Sequence, residues 1–443
     1  MAETAASSSW TREAGAARGL GRIAAHPALA AVAAAALLGT TTLGFSLLVS
    51  RAGLFRDAWL AGVVAGVAFA VAACVMILSD RPRVHGPALA FGALAVASVA
   101  WSATRRDSLD AGAFLALCLV AYACVSQLRT DRARTLVLAT LVACAALQGA
   151  VAIAQQVVSA PNPPSWLDHE AFPAIGTRST GTVYGPNRLG AFLVLALPAA
   201  LALTTGHSRW ARAARYGPVG LIGLGLVFTY SRAAWVGALV ALGVWVVVSR
   251  RGARRRQLAV GSIVLAVVAG SMLAYPPTRQ RALSPLLGTD SALTWRIAVW
   301  RDALGVIGER PLLGAGLDAF PEARLSHLNP ISAFLPCQQA HNELLGMAAD
   351  LGLVGAAAFA FLVGAALWRG IAMLRGETGS PLAAVSVAAM AGLLVTGIFE
   401  STLNARYWPV IAGFWILLGL LASLHTPEPR RVPEGRGERS LEG

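Results

Sequence analysis

Long apolar runs separated by short polar segments dominate the chain. Windows of about 17 to 23 apolar residues, the length that crosses a ~30 Å hydrocarbon core, recur twelve times. The pattern predicts an all-α polytopic membrane protein of about 12 transmembrane helices. The predicted spans are 28–49, 58–78, 87–103, 110–127, 135–157, 188–205, 217–230, 233–249, 258–275, 346–368, 381–399 and 408–424.

Arginine is distributed unevenly between the two sides of these spans. All 36 basic residues are arginine, and with both termini inside, 22 fall in cytoplasmic segments and 8 in short external loops. The positive-inside rule then places the long helical loop between spans 9 and 10 in the periplasm. The predicted organisation is a cytoplasmic N-terminus (1–27), spans 1–9 (28–275), the periplasmic loop (276–345), spans 10–12 (346–424) and a cytoplasmic tail (425–443).

Composition agrees with a membrane setting and argues against a nucleic-acid partner. Apolar residues make up 56% of the chain and charged residues 13%, where soluble domains hold about 25% charged residues. The net charge of +14 favours nucleic-acid binding when taken alone. The arginines flank the spans, however, where they act as anchors beside anionic lipid. We therefore expect membrane lipids as partners and no nucleic acid.

Two predicted external segments, 159–187 and 276–345, are long enough to indicate function. The second contains a predicted helix at 292–307 whose apolar residues recur at helical spacing, with Arg296 and Arg301 on the two edges of the stripe. Such a helix either lies on the bilayer surface or packs on the spans. The stripe consists of Leu293, Ile297, Trp300, Leu304 and Ile307.

The external arginines predict a phosphate site. Group transfer outside the cytoplasm has no nucleotide supply, so it requires a donor activated beforehand, such as a lipid-linked diphosphate. The leaving diphosphate needs a divalent metal or guanidinium groups, and the external acids include no tight Asp-x-Asp pair, so no metal or other cofactor is expected. Arg188 and Arg232 begin the sixth and eighth spans at the same outer level and can grip phosphate bidentately. Alternatively, both are snorkelling anchors.

His341 lies at the outer end of the tenth span and is the candidate general base. Its ordinary pKa of about 6.5 suits proton transfer at neutral pH. The alternative is an ordinary hydrogen-bonded histidine at the membrane interface. Glu343 either orients His341 or is a first-turn acid that the helix dipole favours.

Several motifs together resemble the bacterial O-antigen ligase superfamily, which includes O-antigen polymerases and protein O-oligosaccharyltransferases. The resemblance covers about residues 176–355, and its most specific element is His341 with ten residues before Gly352. The motifs are PNRLGAFL at 186–193, SRA at 231–233, WRIAVW at 295–300, PLLGAG at 311–316 and HNELL at 341–345.

The resemblance implies a metal-independent glycosyltransferase of the bacterial inner membrane with its active site on the periplasmic face. Its donor would be an undecaprenyl diphosphate-linked glycan and its acceptor lipid A-core, with inversion at the anomeric carbon. His341 would be the catalytic base, and the donor diphosphate would be bound by Arg188, Arg232, Arg296 and Arg301.

Three other functions remain open at this point. A polymerase of the same family uses the same donor with another acceptor. A polytopic transporter also suits twelve spans, although carriers usually hold ionisable groups near mid-membrane. A scaffold subunit of a polysaccharide export complex would make the arginines anchors and His341 incidental.

Overall fold

The computed structural model describes residues 85–163, 175–183, 185–203, 209–249, 274–284, 291–334, 339–375, 380–403 and 408–424, with positions 172, 266, 270, 286 and 337. Within these ranges the chain is helical and contains no strand, which confirms the all-α class. The predicted spans 28–49 and 58–78, nearly all of 258–275, and both termini lie outside the described residues.

Twelve α-helices are described in these ranges, and each predicted span within them coincides with one. Their bounds are α1 (Gly86–Ala97), α2 (Arg105–Ser126), α3 (Asp131–Val157), α4 (Pro186–Ala202), α5 (Arg209–Phe228), α6 (Arg232–Val248), α7 (Pro276–Leu283), α8 (Ser291–Glu309), α9 (Phe320–Ala323), α10 (Glu343–Arg375), α11 (Pro381–Thr396) and α12 (Trp408–Ser423). By length and composition α2, α3 and α10 can cross a membrane, and α1, α4, α6, α11 and parts of α5 and α12 are shorter apolar helices. The number twelve for the spans stays a prediction.

Helix α4 is the centre of the bundle. It packs against α3, α5, α6, α11 and α12, and its apolar residues are buried on every side, as expected for a helix without a polar face. Gly190 permits the close approach of α6, because a Cβ there would lie 2.6 Å from the Cβ of Ala234. The first turn of α4, with Asn187 and Arg188, is therefore fixed by packing on several sides.

Helix α10 is interrupted at Gly352, and a segment of the long loop completes it. Gly352 has φ +71° and ψ −179°, so the turn around it opens. The loop segment 311–316 docks there: the N–H of Leu353 donates to a carbonyl of this segment at 2.8 Å, and the N–H of Gly316 donates to the carbonyl of Asp350 at 2.7 Å. A Cβ at Gly352 would lie 2.1 Å from a backbone oxygen of the segment. The PLLGAG motif and Gly352 thus form one structural unit.

The helix predicted at 292–307 is present as α8. It packs on α10 through a face of small residues, while Ile297 and Leu304 of the predicted stripe are 40% and 57% exposed. Contact with the bilayer surface by this stripe stays a prediction. The buried residues of α8 are Ala298, Val299, Asp302, Ala303 and Val306.

Candidate functional site

His341 and Arg296 meet at one buried carboxylate, that of Glu400. Nδ1 of His341 lies 3.0 Å from Oε2 of Glu400, and Nη2 of Arg296 lies 2.6 Å from Oε1. The Glu400 side chain is fully buried, and those of His341 and Arg296 are each 15% exposed. His341 has φ +50°, a left-handed conformation that residues other than glycine adopt rarely and often at functional sites.

The first turn of α4 contributes the third partner of this carboxylate. Asn187 donates its side-chain N–H to Oε1 of Glu400 and accepts a hydrogen bond from Nη2 of Arg178 at 2.9 Å. Arg178 also donates through Nε to the carbonyl of Thr229 at 3.0 Å. Residues from the 175–183 loop, α4, α8 and two further loops therefore converge on Glu400.

Four arginines lie close together beside Glu400. The charges that act on Arg178 are those of Arg281, Arg296 and Arg232, opposed by Glu400. Burial, followed by these like charges, holds the pKa of the Arg178 guanidinium well below its usual range. Four guanidinium groups close together create a positive potential, which favours the binding of a multiply charged anion.

Two of these arginines are held through helix α7 and its end. Arg232, the first residue of α6, donates to the hydroxyl of Ser284 and lies 3.5 Å from the carbonyl of Arg281. The Arg281 guanidinium stands over the Phe172 ring, 4.5 Å from its centroid. Helix α7 thus closes one side of the cluster.

The protonation of His341 is set by opposing influences. Burial disfavours the charged ring, but the charge of Glu400 and its hydrogen bond, together with a hydrogen bond to Cys337, outweigh burial and raise the pKa of His341 to about 9. At neutral pH the free site therefore holds an imidazolium. The sequence predicted a base with the ordinary histidine pKa, whereas the surroundings of His341 raise its pKa.

Two tryptophans of α8 frame the imidazole. The Trp295 ring lies edge-on to that of His341, with centroids 5.1 Å apart and an interplanar angle of 66°. The indole N–H of Trp300 lies 3.4 Å from the carbonyl of His341. The buried indole nitrogen of Trp295 has no hydrogen-bond partner in the described protein, so it is a donor that a bound ligand can use.

The structure brings three of the five predicted site residues together. His341, Arg296 and Arg232 belong to the cluster around Glu400. Arg188 lies beside it in sequence, one residue after Asn187, with its side chain against Gly185. Arg301 is exposed and, five residues beyond Arg296, lies about 140° around the helix, so it faces away from Glu400.

The arrangement relies on residues to which the sequence assigned no role. Glu400, rather than Glu343, contacts His341; the Glu343 carboxylate instead accepts hydrogen bonds from the backbone of Thr402 and Leu403 at 2.6 and 2.9 Å. A single acid at the end of an apolar run was the available signal for Glu400. The other unassigned contributors are Arg178, Asn187, Arg281, Trp295 and Cys337.

The described residues include no group of three or more histidine, cysteine, aspartate or glutamate side chains placed to hold a metal ion. Metal independence stays a prediction, because the catalytic use of arginine in place of a metal is a matter for experiment.

Comparison with known proteins shows that this region of the chain is similar to one family. Residues 217–360, which include Arg232, Arg296 and His341, match the family model described as O-antigen ligase. A search of curated proteins found no match. The family implies glycosyltransferase-like activity in general, and together with the apolar helices it indicates a multi-pass membrane protein. The match supports the membership of this chain in the O-antigen ligase superfamily.

Proposed function

We propose that the protein is an O-antigen ligase, a membrane glycosyltransferase that transfers a glycan from undecaprenyl diphosphate to lipid A-core on the periplasmic face of the inner membrane. The observation that carries the proposal is the crowding of four arginines around Glu400 beside His341. Bringing four guanidinium groups close together costs stability, and a bound anion offsets that cost. A diphosphate supplies the matching charge.

The transfer is a single displacement with inversion. A hydroxyl oxygen of the acceptor attacks the anomeric carbon, and the bond from that carbon to the diphosphate oxygen breaks with its electron pair going to the diphosphate. The acceptor proton passes to Nε2 of His341, because Nδ1 is held by Glu400. Arg232 and Arg296 stabilise the charge that develops on the leaving group. Arg188, at the N-terminus of α4, is placed to add to this field.

The raised pKa of His341 determines when this base is available. With a pKa of about 9, about 1% of the imidazole is neutral at pH 7. Loss of that proton before attack makes the reaction faster as the pH rises. Glu400 then stabilises the imidazolium that forms as the acceptor proton arrives, the role of an orienting carboxylate beside a general base.

A polymerase that uses the same donor is the second candidate, because the family match includes both activities and the arginine cluster recognises the donor. A transporter is the alternative from another class. It would require the arginine cluster to bind its cargo without bond cleavage, so product analysis separates it from both enzymes.

The test is transfer by the purified full-length protein, with undecaprenyl diphosphate-linked glycan and lipid A-core supplied together. We expect glycan on lipid A-core with the wild type and a loss of about 10² to 10⁴ in rate with His341→Ala, and activity that persists in excess chelator. His85→Ala is the matched control, because His85 hydrogen-bonds Tyr122 at 2.6 Å, away from the cluster. Full activity of His341→Ala would overturn the base, extension of glycan on the carrier alone would identify a polymerase, and movement of intact donor would identify a transporter.

A further inference from the structure

The buried loop 177–182 is held by glutamines of α3. Gln155 donates to the carbonyl of Gly181 at 2.9 Å, and its side-chain oxygen accepts from the N–H groups of Thr180 and Gly181, each at 2.9 Å. Gln148 makes a matching pair with Thr182, donating to its hydroxyl and accepting from its N–H, both at 2.8 Å. These side chains replace the secondary structure that the irregular backbone lacks.

A third glutamine of α3 holds the part of the loop that contains Arg178. Gln156 donates to the carbonyl of Thr177 at 3.0 Å and to the hydroxyl of Ser179 at 2.9 Å. Asn162 pairs with the backbone of Arg178 itself, accepting from its N–H at 2.5 Å and donating to its carbonyl at 3.1 Å. Both neighbours and the backbone of Arg178 are therefore fixed.

The Arg178 guanidinium transmits this placement to Glu400. Its Nη2 donates to the side-chain oxygen of Asn187, which leaves the amide nitrogen of Asn187 to donate to Oε1 of Glu400. Arg296 donates to the same oxygen. With two donors on Oε1, the carboxylate cannot rotate freely, and Oε2 is directed at His341.

We propose that Gln156, Arg178 and Asn187 are positioning residues, which form a chain of contacts from α3 to Glu400 and thereby set the orientation and charge of His341. Gln156 fixes the residues on both sides of Arg178, and Arg178 and Asn187 carry that placement to Glu400 by hydrogen bonds. The effect on catalysis rests on the proposed function, whereas the effect on His341 does not. The chain passes through the 175–183 loop and α4, and none of its three members needs to touch a substrate.

The charged and titratable groups that act around His341 define what a test must hold constant. Glu400 and Cys337 raise its pKa directly, Arg296 shares Glu400 with it, and Arg178, Arg232 and Arg281 complete the cluster. Asn187→Leu leaves the net charge unchanged at every pH, and Arg178→Lys leaves it unchanged as long as the lysine is protonated. A change in His341 in these variants therefore reports a change in geometry.

The experiment measures the rate at which diethyl pyrocarbonate modifies His341 in the purified full-length protein, from pH 6 to 10, by peptide mass spectrometry. Only the neutral imidazole reacts, so the rate profile follows its pKa. We expect the wild-type midpoint near 9, as the surroundings of His341 predict. In Asn187→Leu and Arg178→Lys the midpoint falls, and His341 is modified about tenfold faster at pH 7.

Matched controls separate positioning from general loosening of the fold. Gln127→Leu removes the glutamine that follows α2 and donates to the carbonyl of Ala123, and Arg132→Lys changes an exposed arginine. Both variants should leave the His341 midpoint unchanged. Gln156→Leu replaces Asn187→Leu if the latter does not fold. Thermal unfolding identifies the folded variants, and an unchanged midpoint in folded Asn187→Leu, Arg178→Lys and Gln156→Leu overturns the proposal.

The modification assay contains no substrate, so it stands or falls separately from the transfer reaction. A lowered midpoint without any glycan transfer by the wild type would support the chain and refute the proposed function. Where transfer occurs, the variants should lower kcat while the KM for the donor changes little, because Arg232 and Arg281 remain in place.

Discussion

Helix α3 has an arginine network at each end, and the two networks differ in how their charge is balanced. At the start of the helix, Arg134 is 6% exposed and donates to the carbonyl and hydroxyl of Ser423, the carbonyl of Leu128 and the carboxylate of Asp131, at 2.8 to 3.0 Å. At the other end, Gln148, Gln155 and Gln156 hold the loop that leads to Arg178 and the three arginines near it. The guanidinium of Arg134 is paired with oxygen atoms of the protein, whereas the second network gathers four like charges.

The difference separates a structural arginine from a functional one. Arg134 donates to the carbonyl of Ser423, the last residue of α12, and to that of Leu128, so its removal takes a donor away from buried acceptors. The cluster around Glu400 holds like charges together, which is unfavourable until an anion arrives. We expect buried arginine to have opposite effects on stability and activity in the two places, and four experiments test this contrast.

The largest expected effect is that of Arg232→Gln on transfer. Removal of one cationic donor to the leaving group should lower the rate about 10²- to 10³-fold, while the melting temperature stays equal or rises because like-charge repulsion decreases. Initial rates of glycan transfer and thermal unfolding measure the two quantities, with exposed Arg132→Gln as the control. A large loss of melting temperature would show that Arg232 is structural, as Arg134 is.

The pH profile of transfer tests whether the network around Glu400 sets the pKa of His341. The raised pKa of His341, about 9, means that the neutral base becomes more abundant up to that pH, so the rate should rise about 100-fold from pH 7 to 9 and then level off. Glu400→Gln removes the charge that raises this pKa, so the rise should move to lower pH and reach a lower plateau. A rate that falls throughout this range would make the imidazolium the active form.

A substitution in the network around Arg134 should change the stability of the protein alone. Arg134→Gln should lower the free energy of unfolding by about 2 kcal/mol, because buried carbonyl groups lose their donors. The transfer rate per folded molecule should change less than twofold. Chemical unfolding in detergent and activity normalised to folded protein measure these values, and a strong loss of activity in folded Arg134→Gln would remove the contrast between the two ends.

The smallest effect is expected from Cys337→Ala. The contact with Cys337 raises the pKa of His341, so its loss should move the rate profile to lower pH by less than Glu400→Gln does, with roughly a threefold higher rate at pH 7. Cys144→Ala in α3 is the matched control. A move of the profile to higher pH would contradict the assigned influence of Cys337.

The helices were predictable because apolar length is a local property of the sequence. The same holds for α8, whose extent the periodicity gave to within two residues at each end. Its contact face was less predictable: large apolar residues such as Leu304 suggested the stripe, whereas Ala298 and Ala303 allow the close approach to α10. Helix packing depends on the shapes of both helices, whereas the periodicity of one helix describes that helix alone.

The site was predictable where a motif surrounds a residue, as for His341 and Arg296, and not where pairing is distant. Glu400 lies 59 residues from His341 in sequence, and nothing in its own neighbourhood indicates this contact. The glycine and polar residues of loop 177–182 suggest exposed turns, yet glutamines within a predicted span hold the loop inside the protein. Hydrogen bonds from side chains to an irregular backbone leave no periodic signal.

The interruption of α10 at Gly352 has a consequence for exchanging parts between related proteins. Because segment 311–316 supplies hydrogen-bond partners to that helix at its interruption, this segment and α10 form a single structural unit. Chimaeras that cross over between residues 316 and 352 should lose the register of this junction, whereas those that transfer both sides together should retain it.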